Sequence, residues 1–257
     1  MSTDWQDKVA IVTGSTSGIG KAVAEKFSAL GVRTVIHGRN REAGEQTVKE
    51  IRAAGGEALF VQADLLDTGA PLRLVGETIG VFGRIDYIVN NAALVCNKPI
   101  EEIEQEDWNR LFQVNLKTPF FLVQTALPWL TENKGAVVNV GSINGTLNKP
   151  GNVVYDSIKA SLNHMTRGLA LDLREKGIRV NTLMPGGVAT PLIDAWFHQM
   201  YADPAEAQRL ADAEKAKPFM GLPEQIADAV LYLCGSGASW INGAVIPIDG
   251  GYNIGIS

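Results

Sequence analysis

The sequence predicts a doubly wound α/β fold, a parallel sheet of about seven strands with helices on both faces and a small helical lid. Two observations carry this expectation. Short β-branched runs recur along the chain and are continuously apolar rather than alternating, as strands covered on both faces are. Helix-length segments separate almost every pair of them, the spacing expected of right-handed crossovers between parallel strands. A third observation anchors the order: a glycine-rich turn follows the first run directly.

Residues 8–13 (KVAIVT) form the first expected strand, and residues 20–30 the first helix. A strand at 34–37 and a helix at 41–54 follow, then a strand at 58–62 and a helix at 71–81. The fourth strand, 85–90, precedes one long helix at 108–130. The fifth, 136–140, precedes a helix at 154–174. A sixth strand at 179–183, a helix at 223–234 and a seventh strand at 244–248 complete the pattern. Residues 190–219 break the rhythm. They are helix-prone and carry Trp196, Phe197, Met200 and Tyr201 between the sixth and seventh strands. Such an insertion suits a substrate lid, and its aromatics would equally suit a subunit contact. With no repeat, low-complexity segment or linker-like shift in composition, residues 1–257 are expected to form one domain.

Composition narrows the function. Hydrophobic residues make up 46% and charged residues 20%, normal for a globular enzyme. A net charge of −5 argues against nucleic acid or an anionic membrane as the main partner. The N-terminus, MSTDWQDK, lacks the apolar stretch of a signal peptide. The longest apolar segment, 119–130, is interrupted by Gln124, Thr125 and Pro128 and is too short to span a bilayer. Cys96 and Cys234, far apart in sequence, suit a reducing compartment better than a disulfide. A soluble, cytoplasmic protein is expected.

The turn after the first strand reads TGSTSGIG, Thr13 to Gly20. Gly14, Gly18 and Gly20 allow a tight turn, let a pyrophosphate approach the backbone, and seat a helix N-terminus against it. Ser15, Ser17 and Ile19 lie between them and are expected to contact the cofactor with them. No lysine precedes a serine or threonine here, so this is no triphosphatase loop. The second strand ends VIHGRN, with Gly38 where a carboxylate for the ribose 2′-hydroxyl would stand, and Arg39 next. Losing a carboxylate and gaining a guanidinium favours a 2′-phosphate, so NADP(H) is preferred, with NAD(H) left open because Arg39 could be a solvated surface charge.

Tyr155 and Lys159 stand four residues apart, with Ser142 upstream just past a strand-like run. A phenol is a poor acid or base near neutrality, and a cation one helical turn away favours its ionised form. Ser142 could give a second hydrogen bond to the same substrate oxygen. No His, Cys, Asp or Glu cluster has metal-ligand spacing, and the three histidines look non-catalytic, with His37 placed to neighbour a phosphate.

With these residues in hand, the chain resembles the short-chain dehydrogenase/reductase family over nearly its whole length. The glycine loop, NNAA (Asn90 to Ala93), Asn115, Ser142, Tyr155, Lys159, MPGGVATP (Met184 to Pro191) and IDGG (Ile248 to Gly251) appear in that family's order. The resemblance implies a Rossmann-like sheet and specific roles. Tyr155 would be the general acid or base, Lys159 would lower its pKa and bind the nicotinamide ribose, and Ser142 would polarise the substrate oxygen. Asn115, in the long helix, would hold a water linking Lys159 to solvent. Asp64 and Leu65 would meet the adenine, and Asn91, Ala92 and Ala93 the adenosine side. Gly38, Arg39 and Asn40 would surround the 2′ position, while Pro185, Gly186, Val188 and Thr190 would meet the nicotinamide. Asn144, Gly187 and Trp196 would face the substrate, with Val95, Cys96, Ile143, Leu147 and Ile193 completing a mostly apolar lining for a neutral or partly apolar ketone.

Ile158 and Ala93 depart from residues common in the family, and Gly186 is followed by a second glycine, Gly187; none of these changes removes a catalytic group. The expected activity is NADP(H)-dependent interconversion of a ketone and a secondary alcohol. Two readings stand beside it: a 3-oxoacyl-thioester reductase whose carrier protein docks near Arg167, Arg174, Lys176 and Arg179, and a cofactor-binding regulator without turnover. The resemblance also implies a homo-oligomer, tetramer or dimer.

Overall fold

The computed structural model describes residues 5–254. Its strands are β1 (Val9–Val12), β2 (Arg33–Gly38), β3 (Ala58–Gln62), β4 (Tyr87–Asn90), β5 (Ala136–Val140), β6 (Arg179–Pro185) and β7 (Val245–Ile248). They form one parallel sheet in the order β3-β2-β1-β4-β5-β6-β7. The order reverses between β1 and β4. In such sheets the crevice at the carboxyl ends of the strands, beside that reversal, is where ligands bind.

Helices α1 (Gly18–Ala29), α2 (Arg41–Ala53), α3 (Ala70–Phe82), α4 (Gln105–Phe112), α5 (Thr118–Asn133), α6 (Val153–Leu173), α7 (Pro191–Met200), α8 (Pro204–Lys215) and α9 (Pro223–Cys234) make the crossovers and the insertion. The strand pleat explains why both faces need helices. In β1, Val9 and Ile11 point to the core shared with α3 and α5, through Leu74, Val75, Leu122 and Leu130. Ala10 and Val12 point to the opposite core, against Val23 and Phe27 of α1 and Ile226 and Val230 of α9. All four β1 residues are fully buried, and each large aliphatic side chain so removed from water contributes about 1.5–3 kcal/mol.

Most elements follow the predicted order, with shifted ends. The apolar run at 85–90 starts before its ladder, because Ile85 and Asp86 precede the paired residues of β4. Asp86 is buried. It accepts the Val9 N–H at 2.9 Å, holds the Arg84 guanidinium through two bonds of 2.8 and 2.7 Å, and lies 3.2 Å from Lys8 Nζ. Arg84 in turn reaches Asn133 at the end of α5. Asp86→Ala is expected to destabilise the protein by about 3 kcal/mol, because two cations and one buried N–H lose their acceptor together. Chemical denaturation reads that loss, and a change below about 0.5 kcal/mol would show the network to be surface decoration.

The long helix expected at 108–130 is longer and not uniform. Between α4 and α5 lies a π-helical turn, Gln113–Lys117, in which the Thr118 N–H reaches back to the Gln113 carbonyl. Residues 190–219 hold α7 and α8, joined by Lys215, whose ammonium is 2.6 Å from Asp194. No residue of α7 is fully buried. No described helix is long and apolar enough to cross a membrane.

Candidate active site

The glycine loop is held from below. Gly14 adopts φ +63°, a conformation that favours glycine, and its N–H donates to His37 Nδ1 at 3.0 Å. Nδ1 therefore accepts, the ring proton sits on Nε2, and Nε2 donates to the Ala63 carbonyl at 3.2 Å. Burial pushes the His37 pKa down to about 4, so the ring is neutral. His37 is thus a neutral strut between the loop and β3, and it lines the cavity above the loop.

Ser15 is likewise structural. Its hydroxyl donates to the Val12 carbonyl at 2.7 Å and accepts the His37 N–H at 3.0 Å, leaving no hydrogen to donate to a cofactor phosphate. Asn91 donates to the carbonyls of Thr13 and Gly14, while Thr13 Oγ1 accepts the Asn91 and Ala92 N–H groups. A Cβ on Gly20 would overlap the Gly14 carbonyl and the Asn91 amide, so Gly20 permits close packing under the loop rather than contact with a ligand. Asn40 is exposed, and its side-chain oxygen accepts the Ala43 N–H to cap α2, away from the crevice.

A cavity of about 410 Å³ opens over this loop. Gly14, Ser17, Gly18 and Ile19 form its floor; Gly38, Arg39, Asp64 and Leu65 form one end; Asn91, Ala92 and Ala93 form a side. Thr16, which sequence reasoning passed over, lines it too, and its side chain packs where a Cβ on Gly38 would go. Ser17 precedes α1 without a side-chain cap, and the first turn of α1 carries no acidic residue, so its N–H groups remain open to an anion.

A larger cavity, about 1160 Å³, lies at the carboxyl ends of β5 and β6. Ile19, Asn91, Ala93, Thr190 and Leu192 line both cavities, which therefore form one continuous cleft. Ser142, Tyr155 and Lys159 meet in this second part, beside Pro185, Gly186, Gly187 and Val188. Ile193 and Trp196 reach it from α7, and the Trp196 ring lies 6.2 Å from that of Tyr155.

The electrostatics differ from the simple expectation. Tyr155 is buried, and burial pushes its phenol up to about 12, with the adjacent Ser142 hydroxyl pulling the other way. Lys159 is buried as well, which lowers its ammonium to about 8; its Nζ donates to the Val140 carbonyl at 3.0 Å and lies 5.7 Å from the Tyr155 ring centroid. The lysine thus shares a face with the phenol as its spacing requires, yet burial raises the phenol and lowers the ammonium. Without a ligand the phenol is firmly protonated. Ser142 Oγ accepts the Asn144 N–H at 3.1 Å, leaving its own hydrogen to donate.

Several expected residues do other work. Asn115 sits in the π turn, its amide donating to the Leu94 carbonyl and accepting the Leu94 N–H, each at 2.8 Å. An amide keeps a second N–H and a second oxygen lone pair beyond these two bonds, so this anchoring leaves room for a water as well. Asn144 donates to Asp156 Oδ1 at 2.7 Å and lies off the cavity wall, as do Cys96, Ile143 and Leu147; Val95 faces the first cavity. Cys96 packs with Tyr155 and Ile158 in a small apolar cluster, which explains why isoleucine suits position 158. The wall is also less apolar than expected, since Lys98, Lys149, Asn97 and Gln199 line it. Among the described residues, no group of three or more His, Cys, Asp or Glu could hold a metal.

Residues 14–253 match the family described as Enoyl-(Acyl carrier protein) reductase. The 2,5-dichloro-2,5-cyclohexadiene-1,4-diol dehydrogenase of Sphingobium indicum is 33% identical over 250 residues, 97% of each chain. A solved short-chain dehydrogenase/reductase from Burkholderia xenovorans superposes over the whole of both chains with a TM-score of 0.88 at 29% identity. The chain belongs to the short-chain dehydrogenase/reductase family. The structure of L-sorbose reductase from Gluconobacter frateurii, complexed with NADPH and L-sorbose, gives a TM-score of 0.90 at 26% identity, again over both entire chains. This short-chain dehydrogenase/reductase is an NAD(P)-dependent oxidoreductase of CH–OH groups. Its open loop and uncapped α1 terminus fit a dinucleotide.

Proposed function

We propose that the protein interconverts a ketone and a secondary alcohol with NADP(H), using Tyr155 as the proton donor and acceptor. The observation that carries this reading is the convergence of Tyr155, Ser142 and Lys159 on one cavity, continuous with the glycine loop through Ile19, Ala93 and Thr190. When bound there, NADP(H) supplies or takes up the hydride. The protein supplies the rest. Ser142 and Tyr155 place two donors at one substrate oxygen and stabilise the charge that develops on it. Tyr155, protonated at rest, gives its proton during reduction. Lys159, directly beneath, keeps positive charge near the phenol as that proton leaves. The Asn115 side chain anchors the Leu94 backbone beside this site.

The preference for NADP(H) rests on Gly38 and Arg39 at one end of the first cavity, where β2 ends in glycine instead of a carboxylate and a guanidinium follows to meet a 2′-phosphate. The NADPH bound by L-sorbose reductase supports it by similarity. Arg39→Ala is expected to raise the KM for NADPH about tenfold while changing that for NADH less than threefold. Equal effects on both would show Arg39 to be a surface charge. Turnover itself is tested by following nicotinamide absorbance with NADPH and NADH against a panel of ketones and 3-oxoacyl thioesters. The carrier-docking alternative loses one of its cations: the Arg179 guanidinium donates to the carbonyls of Leu233, Cys234 and Gly235 at the end of α9.

A further inference from the structure

Three ammonium groups line the substrate cavity, and their surroundings separate them. Lys98 is paired with Asp107 at 2.7 Å. Lys159 is buried on the Val140 carbonyl beneath Tyr155. Lys149 has no carboxylate within ion-pair distance among the described residues. Its Nζ instead lies 5.7 Å from the Trp196 ring centroid and 5.3 Å from that of Tyr252. Two electron-rich faces steady the cation and strip part of its water without neutralising it. An ammonium so held is ready for an anion.

Its position relative to the reacting centre is fixed by the chain. Asp156, the residue after Tyr155, is buried and uses one carboxylate oxygen to accept the Lys149 N–H at 3.0 Å and the other to accept the Asn144 amide at 2.7 Å. The loop carrying Ser142 and Lys149 is thereby tied to the turn of α6 that carries the phenol. Trp196 bridges the remaining gap, 6.2 Å from the Tyr155 ring on one side and 5.7 Å from Lys149 on the other. Asn97 lies on the same wall, and its carboxamide nitrogen and oxygen find no partner among the described residues, an uncommon state for buried polar atoms. Of the acidic residues on the wall, Glu214 is paired with Lys217 and Glu102 is exposed.

Building on the oxidoreductase reading above, we propose that Lys149 selects substrates that carry a carboxylate at the end remote from the reacting carbonyl or hydroxyl, that is, oxo acids and hydroxy acids. A monoanion is the better match than a phosphate: no arginine lines the cavity, so a second charge would have no fork of donors to meet it. This revises the neutral substrate expected from an apolar lining.

The test compares kcat/KM with NADPH for levulinate, its two longer homologues and their methyl esters, in the wild type and in K149M, K149R and K149E. The wild type is expected to prefer the acid over its ester at the best chain length. K149M, which keeps the length that packs on the two rings, should lower that ratio about tenfold or more, K149E should lower it further, and K149R should keep most of it. A ratio unchanged within about twofold in K149M and K149E would overturn the assignment. A second measurement does not depend on turnover: calorimetric titration of the protein with cyclohexanecarboxylate and cyclohexanecarboxamide. The carboxylate should bind the wild type about tenfold tighter than it binds K149M, and tighter than the amide binds the wild type. Equal binding in wild type and K149M overturns the anion site. Lys149-dependent binding without turnover of any ketone would leave the anion site standing and remove the hydride-transfer reading instead.

Discussion

Replacing Tyr155 by Phe is expected to lower kcat about a thousandfold or more while leaving the dissociation constant for NADPH within about threefold. The substitution deletes one oxygen from a buried ring and keeps the aromatic contact with Trp196, so the fold and the cofactor cavity should persist. What disappears is the proton source. The same variant makes a pH prediction with a definite sign. Burial holds the phenol protonated up to about 12 in the free protein, so its ionised fraction grows with pH throughout the working range. Alcohol oxidation, which needs the phenolate, should therefore rise with pH in the wild type, and the residual rate of the variant should lose that dependence. Stopped-flow binding and steady-state rates measure both; undiminished turnover in Tyr155→Phe would remove the mechanism.

Lys159→Met should separate activity from stability. Turnover is expected to fall about a hundredfold or more, because the proton leaving Tyr155 no longer departs beside a cation. The ligand-free protein should nevertheless become more stable near neutral pH, by a few degrees in Tm. Burial lowers the Lys159 pKa from 10.5 to about 8, which means the fold disfavours the charged form. That penalty is present in full below about pH 8, shrinks as pH rises toward 10.5, and is absent above it. It exceeds the roughly 1 kcal/mol expected from the lost bond to the Val140 carbonyl. The gain in Tm should accordingly be largest below pH 8 and fade by about pH 10.5. A variant that melts lower than wild type at neutral pH would show that the buried ammonium stabilises the fold.

Much of the architecture was legible because buried parallel strands leave an unmistakable trace. Residues 136–140 are all buried in the structure and read as a continuous apolar run interrupted only by Asn139. The side chains that converge on the cleft, Ser142, Tyr155 and Lys159, were legible through spacing, since four residues on a helix fix a shared face. Orientation elsewhere was not. Ser15 and Ser17 both stand as cofactor contacts in the sequence, but only the fold shows the Ser15 hydroxyl turned down onto Val12 and His37. Asn144 looks like a substrate contact until Asp156 is found to hold its amide. Lys149 carried no signal at all. Its setting depends on Trp196 and Tyr252, which lie far along the chain and meet it only through packing. The phenol's raised pKa was also invisible, because burial is a property of the assembled cavity and not of the spacing between two residues.

The π turn at Gln113–Lys117 adds a constraint of another kind. It accommodates one residue more than an α-helix would place in the same rise, so the aim of its side chains depends on the number of residues and not only on their identity. Deleting any one of these five positions would let α4 and α5 anneal into a single α-helix whose two halves stay in phase, while the side chains of the turn itself are re-aimed. Asn115 would swing away from Leu94, and the wall of the cleft would go with it, even if every side chain in the cavity were retained. The cleft is therefore written partly in chain length. A library of substitutions would pass over this determinant entirely, whereas a library of single-residue deletions would find it at once.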